Sequence, residues 1–149
     1  MGLLSRLLRR RRVTETLARD TTIDKAFSEM TMFMDASLLL VDAPSLSQRT
    51  PRLGTRLYFV GAAECLSRHY GLDDENFLSL ALRTLTRLGT SDADAFATLG
   101  AIQQSSHEPF VRHAMIDGNR TLEQWLAGRD SNAAMRLSQA IKEWQDLQL

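Results

Sequence analysis

The chain has 149 residues, about one domain, and its 44% apolar and 24% charged residues exclude a disordered protein. No stretch of about 18 consecutive uncharged apolar residues occurs, which excludes a membrane-spanning helix. Its 18 basic and 18 acidic residues cancel only in total: Met1 to Arg12 holds five arginines and no acid, leaving 13 basic against 18 acidic residues, net −5, in residues 13–149.

The first predicted element is this basic segment. Leu3, Leu4, Leu7 and Leu8 form one apolar stripe at helical spacing, with Arg6, Arg9 and Arg10 away from its centre and Arg11 and Arg12 following. Alone it is too short for a stable helix in water. Residues 1–12 are therefore expected to be a basic amphipathic arm, and residues 13–149 a single helical domain.

From about Thr14 to Val41, Ile23, Phe27, Met30, Met34, Leu38 and Val41 recur at steps of three and four, a core-facing helical stripe. Pro44 is expected to stop this helix, and a polar loop to run on to Arg52. Met32, beside Phe33, lies off the stripe. It is expected either to extend the core face or to form an extra apolar face suited to a homo-oligomer contact.

Residues 53–70 make the most apolar helix, and Gly61, Ala62 and Ala63 would let a second backbone approach closely. Gly71 fits the position after its end. Asp73 is a predicted N-cap, followed by Asp74 and Glu75 where a helix dipole favours negative charge. Phe77, Leu80, Ala81, Thr84 and Leu88 continue as the next stripe, closed by Gly89. Ser91 and Asp94 resemble a capping box for a helix over about 92–103, with Phe96, Leu99 and Ile102 as its core residues. A further helix is expected to open near Ser106, with Pro109 in its first turn, where a missing N–H costs nothing. It carries Val111, Met115, Gly118, Leu122 and Trp125 through the D-G-N at 117–119, which reads as helix interior in preference to a turn. Asp130 or Ser131 caps the last helix, with Ala134, Leu137, Ile141 and Trp144 inward. Period-two alternation is not sustained anywhere, so the fold expected is an all-α, compact single-domain bundle of six or seven helices. The L-G dipeptides at 53–54, 88–89 and 99–100 are not embedded in a recurring pattern, and a repeat architecture is rejected.

Catalytic motifs are missing from the sequence. It contains no G-x-S-x-G, G-x-G-x-x-G, phosphate-binding glycine-lysine loop, H-E-x-x-H or Glu-x-x-His pair. The acidic run at 72–76 lacks the glycine and terminal glutamate of a calcium loop. Cys65 is the sole cysteine, so no internal disulfide forms, and a zinc site would need other ligands. One cluster remains as a candidate cleft: Glu64 and Arg68 at i, i+4, interleaved with Cys65 and His69 at i, i+4. The first pair reads either as a carboxylate of raised pKa or as a surface ion pair, the second as a thiolate–imidazole pair or as a buried thiol beside a half-exposed ring. His107 and His113 do not join them in sequence, and no metal or cofactor is called for. A helix-turn-helix reading fails because the helix after Leu88 to Ser91 opens on Asp92 and Asp94, which phosphates repel.

With the body empty of catalytic signatures, the arm is the strongest functional feature. It is expected to lie on an anionic membrane surface or to dock on an acidic protein surface, and less readily to contact nucleic acid or to be a solvated tail. Residue 6 is arginine where a myristoylation motif wants Ser or Thr, and no secretory apolar core follows the arginines. The expectation is a bacterial-type cytoplasmic, membrane-associated adaptor or assembly protein, with a small helical enzyme centred on Glu64, Cys65, Arg68 and His69 as the alternative.

Overall fold

The computed structural model describes the backbone of residues 3–128 and 130–147, and the side chains from residue 21 onward within those ranges. Six α-helices follow one another: α1 (Leu3–Leu39), α2 (Arg49–His69), α3 (Asp74–Arg87), α4 (Asp92–Ser105), α5 (Pro109–Gly128) and α6 (Ser131–Gln145). A short 3-10 helix, Ala43–Ser47, links α1 to α2, and the described residues contain no strand. The fold is an all-α bundle.

Local chemistry explains most of the boundaries. Asp73 accepts the Asn76 backbone N–H at 2.8 Å, Ser91 that of Asp94 at 3.2 Å, and Asp130 that of Asn132 at 3.0 Å. Each replaces an intrahelical partner that a first-turn N–H lacks. Gly71 and Gly89 follow α3's neighbour and α3 itself with φ of 65° and 84°, a backbone region that a Cβ makes costly.

α1 ends at Leu39, before Pro44 as expected, and Pro44 sits in the first turn of the 3-10 helix. Three other boundaries differ from the sequence expectation. α2 starts at Arg49 and takes Pro51 into its first turn, where a missing N–H costs nothing, so part of the expected polar loop is helix. α5 starts at Pro109 itself, later than Ser106. It then runs unbroken through 117–119. Finally, the arm and the first core helix are one element, since α1 is helical from Leu3. The side chains of Leu3, Leu4, Arg6, Leu7, Leu8, Arg9, Arg10, Arg11 and Arg12 lie outside the described ones.

α2 is the central helix. It packs against α1, α3, α5, α6 and the 3-10 helix, and its middle is buried on every side, from Leu57 to Ala63. The tightest contact is with α5. A Cβ on Gly61 would overlap the backbone of Met115, and a Cβ on Gly118 would overlap the carbonyl group of Tyr58. The two glycines thus let two backbones meet where side chains normally separate helices by 8–10 Å. Around this crossing sits an aromatic cluster. Phe33 lies 5.9 Å from Phe59 in an edge-on arrangement and 5.7 Å from Trp125, and Tyr58 is 5.4 Å from Phe59. Phe33 is fully buried while its neighbour Met32 is 42% exposed, so the core face of α1 widens toward Phe33 and stops short of Met32.

Ion pairs tie the outer helices to one another. Asp24 and Asp35 of α1 meet Arg83 and Arg87 of α3 at 3.0 and 2.9 Å. Arg136 of α6 donates to both oxygens of Asp117 on α5 and also to Glu143, with its closest contact 2.6 Å. These hydrogen bonds, above all those to Asp117, keep the guanidinium firmly protonated.

Gly61→Ala and Gly118→Ala are each expected to lower unfolding stability by about 3 kcal/mol, because backbone cannot yield as a side-chain tip can. Gly100→Ala, at an α4 position with open space around it, is expected to raise stability by about 0.5–1 kcal/mol. Urea denaturation of the three variants checks both signs.

Candidate functional site

The residues that the sequence singles out stay side by side on α2, with Arg68 and Glu64 both near enough to act on the Cys65 thiol. Glu64, Arg68 and His69 are exposed and Cys65 is buried. Arg68 donates to the side-chain oxygen of Asn119 on α5 at 2.8 Å, and this contact between helices takes the place of an ion pair with Glu64. The His69 ring stands edge-on to Tyr70 at 5.1 Å. Burial pushes the Cys65 thiol up, and nearby Arg68 only partly opposes this, so the thiolate that nucleophilic chemistry requires is disfavoured. His107 and His113 are exposed. The described residues contain no group of three His, Cys, Asp or Glu side chains arranged for a metal ion.

A different place in the fold forms a concave site. α4 packs mainly on α3, with Ala95 as its one buried residue, set against Val60 and Leu85. Phe96, read from the sequence as a core residue, is 59% exposed, and Leu99 and Ile102 are half-buried. The α4 side toward α2 carries Asp94, Ala97, Thr98, Ala101 and Ser105, too small and polar to close on α2. A groove of about 560 Å³ is left, walled by α2 and α4 and ended by Glu108 and Val111 at the start of α5.

This groove has an apolar floor and a polarised rim. Leu53, Leu57, Ile102 and Val111 contribute the apolar surface. Arg52 and Arg56 stand one turn apart on the α2 wall, while Asp94 and Glu108 belong to α4 and the turn before α5. None of these four charges forms an ion pair with another described residue. Charges of one sign along each wall, unspent on each other, suit a ligand or segment that carries both signs beside an apolar face. Charge composition gives the sequence-level signal for the arginines, but only the failure of α4 to close on α2 reveals that they border a groove.

No protein-family model matches the chain, and it has no detectable similarity to a curated protein or to a solved structure. Functional inference therefore rests on the residues themselves.

The buried thiol has a pH signature. Its pKa is higher in the folded chain than in the unfolded one, so above about pH 8.5 the unfolded state releases a proton that the folded state retains. Stability is full below that pH and declines as pH rises toward the folded value. The buried Tyr58 hydroxyl, also pushed up by desolvation, extends the decline above about pH 10. Melting temperatures measured from about pH 7 to 10 are expected to fall at the alkaline end, less steeply in Cys65→Ala. Labelling of Cys65 by a thiol-reactive disulfide reagent is expected to be slow until urea unfolds the chain.

Proposed function

We propose that this protein is a non-catalytic interaction protein that docks on an anionic membrane surface through its arginine- and leucine-rich N-terminus. The observation that carries the reading is backbone continuity: α1 is helical from Leu3. On a helix, Leu3, Leu4, Leu7 and Leu8 share one side, and the arginines flank it. Leucines of such a segment enter the boundary between headgroups and acyl chains, and each arginine near the surface contributes about 1 kcal/mol of attraction to anionic lipid. The remainder of the chain, net −5, is repelled by the same surface, which confines contact to the arm. Four leucines and five arginines make a reversible attachment, as for a peripheral protein on a cytoplasmic leaflet. No described helix is long and apolar enough to cross a membrane.

A second reading rests on the α2–α4 groove. Its Arg52, Arg56, Asp94 and Glu108, none of them in an ion pair with a described residue, offer an alternative contact for an amphipathic partner segment that carries both charge signs, and here the arm plays no part.

Vesicle co-sedimentation separates the two. The full chain is expected to bind vesicles containing phosphatidylserine, to leave pure phosphatidylcholine vesicles unbound, and to dissociate as salt rises. A chain of residues 13–149, checked for retained helicity by circular dichroism, is expected to lose more than tenfold in affinity. Binding that survives this deletion rejects the arm, and its loss in Arg52→Glu/Arg56→Glu would move the contact to the groove. Absence of vesicle binding by the full chain, with co-sedimentation of an acidic protein instead, would replace the lipid by a protein surface.

A further inference from the structure

Beyond its core stripe, α1 leaves large apolar side chains exposed: Met32 and Leu39 on the helix, two turns apart, and Leu40 just after it, while Ala36 between them packs against the core. Met32, Leu39 and Leu40 are 42%, 84% and 50% exposed, and Leu39 is the most exposed large apolar side chain described. Where α1 ends, the chain after it and the last turns of α6 enclose a cavity of about 320 Å³. Leu40, Val41 and Ile141 line it with apolar surface, and Asp42 and Lys142 line it with one charge of each sign. Neither Asp42 nor Lys142 forms an ion pair with a described residue. Met135, 43% exposed, continues the apolar surface along the same face of α6 as Ser138 and Lys142.

We infer that this face binds a second copy of the chain. In the resulting twofold dimer, Leu39 of each copy enters the cavity of the other, and Asp42 of each copy meets Lys142 of the other. Three features specify a second copy above other occupants. The protruding Leu39 and the cavity are neighbours on one surface, so a single twofold axis between them fills both cavities at once, as an isologous contact requires. The cavity is lined by one acid and one base, neither in an ion pair with a described residue, so it is complementary to itself, whereas a partner of one charge sign would set like charges together. Asp42 also opposes an anionic lipid surface, which separates this face from the membrane contact assigned to the arm. Dimerisation does not depend on that contact, but it would join two weakly anchoring arms and strengthen their attachment through effective concentration.

Sedimentation equilibrium of the full chain tests the inference. The wild type is expected to be dimeric within a range of about 1–100 μM, the affinity span of an interface of modest size. Leu39→Lys is expected to be monomeric with an unchanged circular dichroism spectrum, since the side chain is exposed and a cation suits a helix C-terminus. Asp42→Lys and Lys142→Asp are each expected to raise the dissociation constant about tenfold, and the double exchange to restore it. A wild type that stays monomeric across the range, or a Leu39→Lys chain that stays dimeric, overturns the dimer. Single charge variants that bind as tightly as wild type, or a double exchange no better than the singles, overturn the Asp42–Lys142 pairing.

Discussion

The close approach of α2 and α5 at Gly61 and Gly118 is the constraint on which the bundle depends. Neither glycine has room for a Cβ, because the backbone of the opposite helix occupies the space. Drawing two helices this near brings the side chains on either flank together, and the aromatic cluster of Phe33, Tyr58, Phe59 and Trp125 occupies one such flank. Once α2 and α5 are locked, α1, α3 and α6 have only the remaining faces of α2 to cover. The apolar content of α2 on all sides is what makes this central position stable.

The helices that build this core must dispose of their buried polar groups, and several do so locally. Thr55, Thr84 and Thr121 each turn a buried hydroxyl back to the carbonyl oxygen one turn earlier, at 2.7 Å in each case. Tyr58 has no comparable neighbour in its own turn. Its hydroxyl is fully enclosed without a well-formed hydrogen bond, although Thr121 is close enough to influence its ionisation, and desolvation dominates. The Arg136 guanidinium lies beyond this region and holds Asp117 and Glu143 together. It anchors α6 to α5 by several charge-assisted hydrogen bonds to Asp117, a less exposed arrangement than the Arg83–Asp24 and Arg87–Asp35 pairs between α3 and α1.

The surfaces left open follow from what the core has already used. α4 buries Ala95 fully against Val60 and Leu85, with Leu99 and Ile102 half-buried beside it, and its incomplete closure on α2 leaves the groove bordered by Arg52, Arg56, Asp94 and Glu108. α1 spends Met30, Phe33 and Met34 on the core and keeps Met32, Leu39 and Leu40 outside. Both surfaces combine apolar area with charges that find no partner within the described residues.

Much of this protein was legible in the sequence because much of it is set by local chemistry. The helical class, the caps at Asp73, Ser91 and Asp130, the left-handed glycines 71 and 89, and the close approach at Gly61 all follow from short-range rules of spacing and conformation. The inward stripes of α3, α5 and α6 do as well, since the period of a helix places their apolar residues on one side. Proline misled at Pro51, which α2 takes into its first turn, because proline tolerates the first turn of a helix as readily as it ends one. Phe96 and Phe33 show the deeper limit. Periodicity tells which residues share a face, but not which neighbour that face meets or whether the neighbour covers it. The burial of Cys65 beside exposed Glu64, Arg68 and His69, the opening of the α2–α4 groove and the exposure of Leu39 were decided only when six helices divided a limited apolar surface among themselves.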